Sequence, residues 1–96
     1  MEAGDIYRAD LNDEVSRQVL VVSTQRFQRL SGRAIVAPAI GVSPDEIAPP
    51  WRVESDGDVF AIDMLRTVPV DRLIERVDRC PPDALERVRA VVRHII

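Results

Sequence analysis

The chain has 96 residues, a length typical of one domain, so we expect a single domain over residues 1–96. A net charge of −3, with 46% hydrophobic and 30% charged residues, is ordinary for a soluble domain and argues against a protein that coats nucleic acid non-specifically. No apolar run reaches the roughly 18 residues of a transmembrane helix, and the acidic N-terminus is unlike a signal peptide.

The first segments of the chain predict strands. Residues 4–11 alternate apolar and polar side chains and indicate a half-buried strand, which the polar residues 12–14 end as a turn. Residues 19–22 read Val-Leu-Val-Val, an uninterrupted apolar run typical of a central strand buried on both faces. We therefore expect the second strand to lie in the interior of the sheet.

A short helix and a third strand follow. Ser23 and Thr24 can each cap a helix over residues 25–30, because their hydroxyl oxygens accept from free N–H groups of the first turn. Residues 33–37 predict the third strand, and Pro38 is expected to end it, since proline cannot donate to a sheet.

The middle of the chain predicts a loop and a hairpin. Residues 41–50 hold one glycine, three prolines and an acidic pair, and form the longest predicted loop. A short strand over residues 51–54 is followed by Ser-Asp-Gly-Asp at residues 55–58, the clearest hairpin turn of the chain. Residues 59–62 then continue as the returning strand.

The last third predicts two short extended segments, at residues 66–70 and 73–77, and one long helix. Pro81 and Pro82 suit the first turn of that helix, where missing N–H groups cost little. Its apolar side chains recur at helical spacing, at Ala84, Leu85, Val88, Val91, Val92 and Ile95. Short strands with one terminal helix indicate a mainly β, α+β fold, in which the helix plugs a strongly bent sheet or barrel.

The reactive side chains give few direct signs of chemistry. All thirteen basic residues are arginine, which either reflects a GC-rich coding genome or supplies planar groups suited to phosphate. The one cysteine, Cys80, cannot form an internal disulfide, so we expect a cytoplasmic protein, and without a neighbouring histidine it is a poor candidate for a nucleophile. His94 is the one histidine, and the carboxylates follow no metal-ligand spacing, so no metal and no cofactor are expected.

Five segments in unbroken order resemble the MazF/PemK family of toxins from type II toxin–antitoxin systems. They are Gly4-Asp5-Ile6-Tyr7, Arg17-Gln18-Val19-Leu20-Val21-Val22-Ser23, Arg26-Phe27-Gln28-Arg29, Ala34-Ile35-Val36-Ala37-Pro38 and Asp63-Met64-Leu65-Arg66-Thr67-Val68. The resemblance implies a small SH3-like β-barrel with a short helix and a C-terminal amphipathic helix. It also implies a cytoplasmic homodimer that cleaves single-stranded RNA without a metal, and a cognate antitoxin protein that restrains it.

Cleavage of RNA without a metal requires a base for the 2′-hydroxyl proton, a cation for the phosphorane and an acid for the leaving 5′-oxygen. Arg17 is the best candidate for the cation, because it stands where a polar turn enters a buried strand, and the resemblance also places an active-site arginine there. The alternative is a solvated arginine at a strand end. Glu14, three residues earlier, is a candidate base or a solubilising side chain of the turn.

The resemblance adds further candidates. Asp63 matches an acidic position used by some members, or is a strand-ending side chain bonded to a nearby backbone N–H. Arg66 either contacts phosphate or pairs with Asp63. Trp51 either stacks on a base or packs over the barrel. Three more candidates for RNA contact also fit a solvated surface, namely Arg26, Arg29 and Arg33.

The chain also departs from the family pattern. Many members carry a hydroxyl residue just after the third strand, whereas this chain reads Ala39-Ile40-Gly41 and has its first hydroxyl at Ser43, which we include among the catalytic candidates. Two alternatives therefore stay open. One is a gyrase-directed toxin of the CcdB kind, which shares the fold but lacks catalysis, and the other is an inactive relative that only binds partners.

Overall fold

Seven antiparallel strands form one curled sheet in the computed structural model, which describes residues 1–12, 16–41, 51–55 and 57–96. In chain order the elements are β1 (Asp5–Ala9), β2 (Arg17–Val21), α1 (Gln25–Ser31), β3 (Arg33–Ile40), β4 (Arg52–Ser55), β5 (Asp58–Ala61), β6 (Arg66–Pro69), β7 (Leu73–Arg79) and α2 (Pro82–Ile95). Single turns of 3₁₀ helix lie at Ile62–Met64 and Val70–Arg72. The strand order is β4-β5-β3-β2-β1-β7, with β6 also paired to β3. The predicted mainly β architecture with two helices is confirmed.

The centre of the sheet is β2, which is buried on both faces as its sequence predicts. Val19 and Val21 belong to one hydrophobic cluster, while Leu20 between them belongs to another on the opposite face. Successive side chains of a strand point to opposite faces, so an all-apolar strand separates two cores. β2 thus divides the interior into a side covered by α2 and a side enclosed by the curl of the sheet.

The core on the α2 side is built where the helix crosses the sheet. Ala84 and Val88 of α2 are buried in one cluster with Ile6, Leu20 and Phe60 of the strands. The predicted apolar stripe of the helix therefore faces the sheet, apart from Ile95 at its end, which is 40% exposed. Pro82 opens α2, as its position predicts.

The second core lies inside the curl of the sheet, and its buried residues in the described part of the chain include none from α1 or α2. The buried side chains that form it come from five strands and the segment after β1, namely Ala9, Leu11, Val19, Val21, Ala34, Val36, Val68 and Leu73. Because the sheet bends around them, these residues are buried without a second layer, as in a small barrel.

The two hydroxyls before α1 have different tasks. Thr24 caps the helix, since its Oγ1 accepts from the Phe27 N–H at 3.2 Å. Ser23 does not cap; its Oγ accepts from the Ile35 N–H at 3.0 Å and from the Gln28 side-chain amide at 3.3 Å. At the other end Gly32 adopts the left-handed conformation that closes the helix, with φ of 70°. The predicted helix is confirmed, but only one of its two proposed caps is used.

The prediction that Pro38 ends the third strand is wrong, because β3 continues to Ile40. Pro38 is the last residue of β3 opposite β2, where it lies across from Val19, and Ala39 pairs with Phe60 of β5 instead. The strand changes partner at the proline, so the missing N–H falls where one ladder stops and another begins. The sequence rule failed because β3 pairs with β2 up to Pro38 and with β5 beyond it.

The predicted hairpin between β4 and β5 is confirmed, while Asp56 of its turn lies outside the described residues. β4 and β5 pair antiparallel up to Ser55 opposite Asp58, and Gly57 has the positive φ of 84° that such turns require. Of the other predicted features, most of the loop over residues 41–50 lies outside the described residues, as do residues 13–15 of the first loop.

Candidate functional site

Arg17 lies where the inner core of the barrel reaches solvent. It is the first residue of β2, opposite Ala9 of β1 and two residues before Val19. The alternation of the strand places its side chain on the same face as the buried Val19, yet Arg17 is exposed. Arg17 therefore has a backbone held by the sheet and a solvent-exposed side chain.

Arg66 shares that face of the sheet. It begins β6 opposite Val36, and Val36 in turn pairs with Val21 of β2. Residues directly opposite in an antiparallel sheet point to the same side, so Arg66 also borders the inner core, and it is exposed. The fold therefore places Arg17 and Arg66 on one face of the sheet. β3 lies between their strands, and Arg66 is level with Val21, four residues along β2 from Arg17.

Asp63 is held by a different arginine from the one predicted. Its two carboxylate oxygens accept from Arg52 Nε at 2.9 Å and Nη2 at 3.3 Å, a bidentate pair. Among the described residues Arg66 forms no ion pair with Asp63, so the proposed Asp63–Arg66 bridge is wrong. Asp63 connects the 3₁₀ turn after β5 to the start of β4, which gives it a structural task.

We expect the Asp63–Arg52 pair to stabilise the fold without serving cleavage. Because both side chains are partly exposed, a double-mutant cycle of Asp63→Asn and Arg52→Gln should give a coupling energy of about 1 kcal/mol. Urea unfolding measures the coupling, and RNA cleavage by the folded Asp63→Asn variant should equal that of the unaltered chain. A loss of cleavage without a loss of stability would instead make Asp63 catalytic.

The remaining candidate cations are not brought together. Arg26 and Arg29 are both exposed on α1, but they line different surface cavities. Arg33, the first residue of β3, is exposed and lies opposite Pro69 of β6. Their closeness in sequence therefore does not produce one shared groove.

Trp51 packs beside α2. It is half-buried and lines an apolar cavity with three residues of that helix, namely Ala90, Val91 and His94. Its carbonyl accepts from the Ile62 N–H at 2.9 Å. The packing interpretation of this tryptophan fits these contacts, and it lies on the α2 side of the sheet rather than beside Arg17. Glu14 and Ser43 lie outside the described residues.

A buried aspartate, Asp5, and its arginine partner join the first and last strands, a contact that the sequence did not reveal. Asp5 is 3% exposed and accepts from Arg79 Nη1 at 2.7 Å and from the Glu2 N–H at 2.9 Å. The hydrogen bond that Arg79 donates to Asp5 raises the pKa of the Arg79 guanidinium. The only sequence signal is an aspartate at the start of an apolar strand, which could not identify its partner 74 residues away. This ion pair links the start of β1 to the end of β7, where the two strands lie side by side.

Cys80 is expected to react slowly with thiol reagents. The residue is 5% exposed, and burial raises the pKa of its thiol, so the reactive thiolate is scarce in the folded chain near neutral pH. Iodoacetamide labelling followed by mass spectrometry should modify the native protein much more slowly than the urea-unfolded protein. Because a raised folded-state pKa favours the protonated native form, stability should fall as pH rises above the unfolded thiol pKa. Equal labelling rates in the two states would contradict this environment.

Within the described ranges, no three histidine, cysteine, aspartate or glutamate side chains are grouped so that they could hold a metal ion. The described helices are also too short or too polar to cross a membrane.

Comparison with known proteins identifies the family. The profile of the "PemK-like, MazF-like toxin of type II toxin-antitoxin system" matches residues 2–96. The chain belongs to the PemK/MazF-like toxin family. The resemblance carried by the five sequence segments is therefore confirmed, and with it the expectation of a MazF-like fold.

Solved structures of MazF-like proteins share this fold at low sequence identity. An endoribonuclease from a mycobacterial species superposes with a TM-score of 0.82 at 16% identity, covering 98% of this chain and 88% of the other. A MazE-MazF crystal structure (Form-III) from Deinococcus radiodurans superposes with a TM-score of 0.83 at 19% sequence identity, and the match covers 99% of this chain and 94% of the other. A mycobacterial endoribonuclease in complex with its cognate antitoxin superposes with a TM-score of 0.80 at 16% sequence identity, and the match covers 98% of this chain and 90% of the other. A search of curated protein sequences gave no significant match.

Proposed function

We propose that this member of the PemK/MazF-like family is the toxin of a toxin–antitoxin pair and acts in the cytoplasm as an endoribonuclease. It cleaves single-stranded RNA at selected sequences without a metal ion and so arrests translation and growth. The position of Arg17 carries the proposal: a sheet-anchored, exposed arginine stands at the open end of the inner core. The mycobacterial neighbour described as an endoribonuclease supports the same activity.

Arg17 binds the scissile phosphate in this mechanism. Its planar guanidinium can donate two parallel hydrogen bonds to phosphate oxygens and so stabilise the charge of the phosphorane. A base removes the 2′-hydroxyl proton, the 2′-oxygen attacks phosphorus, and the bond to the 5′-oxygen breaks as that oxygen takes up a proton. The products are a 2′,3′-cyclic phosphate and a 5′-hydroxyl. We assign the base to Glu14 and a supporting hydroxyl to Ser43, from the resemblance and the sequence.

Arg66 extends the RNA-binding surface beyond the reacting phosphate. It is exposed, lies on the same sheet face as Arg17, and forms no ion pair with a described carboxylate. An exposed arginine that pairs with no described carboxylate can neutralise a neighbouring phosphate of the same RNA strand, and RNA binding should then weaken as salt is added. We assign Arg26, Arg29, Arg33 and Trp51 at most a peripheral part, because the fold separates them.

The partners of this function are an antitoxin and a second copy of the chain. Neighbours of the same fold include an endoribonuclease in complex with its cognate antitoxin and MazE-MazF structures. An antitoxin segment that covers the surface around Arg17 would exclude RNA directly. The homodimer is taken from the family resemblance.

Incubation of the antitoxin-free protein with a long RNA that has structured and unstructured regions tests the proposal. The reaction is run in EDTA and, in parallel, in Mg²⁺, and the fragment ends are mapped and their termini identified. We expect discrete cuts in unstructured regions in both buffers, with 2′,3′-cyclic phosphate ends. Cutting only in Mg²⁺ would contradict the metal-independent mechanism, and intact RNA beside an active control ribonuclease would contradict ribonuclease activity.

Two observations favour a second candidate, a toxin that binds its target without catalysis. Asp63, at an acidic position used by some family members, has both oxygens bound by Arg52. Ala39 and Ile40 stand where many members carry a hydroxyl. If RNA remains intact, a DNA gyrase supercoiling assay separates a gyrase poison of the CcdB kind from a relative that only binds partners.

A further inference from the structure

The turn that follows β1 is bound to the turn that precedes β7. Arg72 ends the 3₁₀ turn Val70–Arg72, and its main-chain carbonyl accepts from the Asp10 N–H at 2.9 Å. Its guanidinium donates from Nη1 to Oδ1 of Asn12 at 2.9 Å, and the same Nη1 lies 3.5 Å from Oδ2 of Asp10. Arg72 therefore holds two residues that lie 62 and 60 positions earlier in the chain.

The turn after β1 has one defined conformation. Asp10 Oδ1 accepts from the Asn12 N–H at 3.0 Å, and Leu11 between them is buried in the inner core. Asn12 has a φ of 66° and is the one non-glycine residue with a positive φ in the part of the chain that the structure describes. Asparagine tolerates this left-handed conformation better than most residues do. The bond from Arg72 holds Asn12 in it, at the point where the chain leaves β1.

This turn lies at the end of the strand pair that supports Arg17. Ala9 pairs with Arg17 on one side, as the last described pair of β1 with β2, and with Leu73 of β7 on the other. Asp10 and Arg72 are the next residues beyond Ala9 and Leu73, so their bond lies one step from the partner of Arg17. Because pairs at the end of a ladder open most easily, this bond restrains the opening of the pair that holds Arg17.

A second contact holds the residue just before Arg17. Arg8 donates from Nη1 to Ser16 Oγ at 3.5 Å and from Nε to Glu75 at 3.1 Å. The bond to Ser16 is long, whereas the bond from Arg72 to Asn12 is of ordinary length. Arg72 therefore makes the stronger of the two contacts that hold the chain on either side of the β1–β2 connection.

The side-chain contacts of Arg72 are too exposed to contribute much to stability. The side chain of Arg72 is 39% exposed and that of Asp10 is 53% exposed. Water competes for such contacts and salt screens them, so they add little to the free energy of unfolding. The buried Leu11 and Leu73 already provide the packing at this end of the sheet. What Arg72 adds is a single geometry for the turn.

We propose that Arg72 is a positioning residue for RNA cleavage, which holds the end of the β1–β2 pair so that Arg17 meets the scissile phosphate in one orientation. The inference rests on the proposed function. Donors stabilise a transition state only from the correct position, and a displacement of about 1 Å can reduce the rate by about 100-fold. Arg72 does not contact RNA in this mechanism, because its guanidinium is bound to Asn12 and Asp10.

Arg72→Ala tests the role in cleavage. Single-turnover cleavage over a range of protein concentrations separates the maximum rate from the concentration that gives half of it. The maximum rate should fall by about 10- to 100-fold, while the half-rate concentration should change by less than about threefold. The midpoint of thermal unfolding should fall by less than about 5 °C. Arg87→Ala, which also removes an exposed arginine bound to an exposed carboxylate, is the matched control and should cleave normally.

Variants of Asn12 test the hydrogen bond itself. Asn12→Gly keeps the positive φ accessible but removes the acceptor, so it should reproduce the loss of rate in Arg72→Ala. The two changes together should be no slower than either alone, because they remove the same bond. Asn12→Asp keeps an acceptor for Arg72 and should cleave at the normal rate. Arg72→Lys keeps a donor and the charge, and it should recover part of the rate.

A double-mutant cycle with Arg17 identifies the path of the effect. Because Arg72 acts through Arg17, adding Arg72→Ala to Arg17→Ala should slow cleavage by less than about threefold further. Three results would overturn the inference: a normal rate in Arg72→Ala, losses that multiply in the double variant, or a raised half-rate concentration with weaker salt dependence, which marks a phosphate contact. Each of them leaves ribonuclease activity in place. Intact RNA with the unaltered chain would overturn the proposed function and this inference with it.

Discussion

Arg17→Ala is expected to reduce the rate of RNA cleavage by about 100- to 1000-fold while leaving the fold intact. The residue is exposed at the first position of β2, so its truncation removes no buried side chain. The loss is expected to fall on the transition state, because in the proposed mechanism the Arg17 guanidinium stabilises the charge that develops on the phosphate. Single-turnover cleavage of a fluorescent RNA measures the rate, and thermal unfolding shows that the variant is folded.

Two further variants separate a specific role from a general loss of positive charge. Arg17→Lys keeps the charge but loses the planar pair of donors, so it should recover only part of the lost rate. Arg87→Ala removes an exposed arginine of α2 that pairs with Asp83, and it should cleave at the normal rate. Cleavage by Arg17→Ala at the rate of Arg87→Ala would place the active site elsewhere.

The fold was predictable where local pattern and burial agree. The all-apolar run of β2, the Asp-Gly hairpin and the amphipathic α2 each have a strong local signal, and each appears in the structure where that signal lies. The continuation of β3 beyond Pro38 was not predictable, because it depends on a change of partner from β2 to β5. The local sequence indicates that a proline interrupts the hydrogen bonds between two paired strands. It does not indicate that the same strand can continue by pairing with a different strand.

Of the proposed site, only the position of Arg17 in the fold was predictable. A polar turn that enters a buried strand predicted an exposed arginine beside a core, and Arg17 lies there as the first residue of β2. Pairing of charges was not predictable, because it depends on strand order. Arg52 and Asp63 meet through the β4–β5 hairpin and Asp5 and Arg79 through the β1–β7 edge, although nearer residues of opposite charge were available in sequence. The pairing of strands that are distant in sequence thus determines which carboxylates form ion pairs that stabilise the fold.

The helix α2 provides the second large expected effect, because the core on its side of the sheet depends on it. Val88 is 1% exposed and packs in the cluster that contains Leu20 and Phe60. Val88→Asp places a charge there without a partner, so the free energy of unfolding should fall by about 4 kcal/mol. For a domain of this size the midpoint of thermal unfolding should fall by about 20 °C, as measured by circular dichroism.

Ala90→Asp is the matched control for that variant. Residue 90 is exposed on the same helix, so the same side chain meets solvent there, and the change in unfolding free energy should stay within about 1 kcal/mol. Removal of residues 83–96 takes away the whole buried stripe of α2 and should abolish cooperative unfolding altogether. A cooperative thermal transition in the truncated chain, or equal stability of the two aspartate variants, would show that the curled sheet folds on its inner core alone. The inner cluster contains no α2 residue, so this comparison measures directly how far the strands depend on the helix.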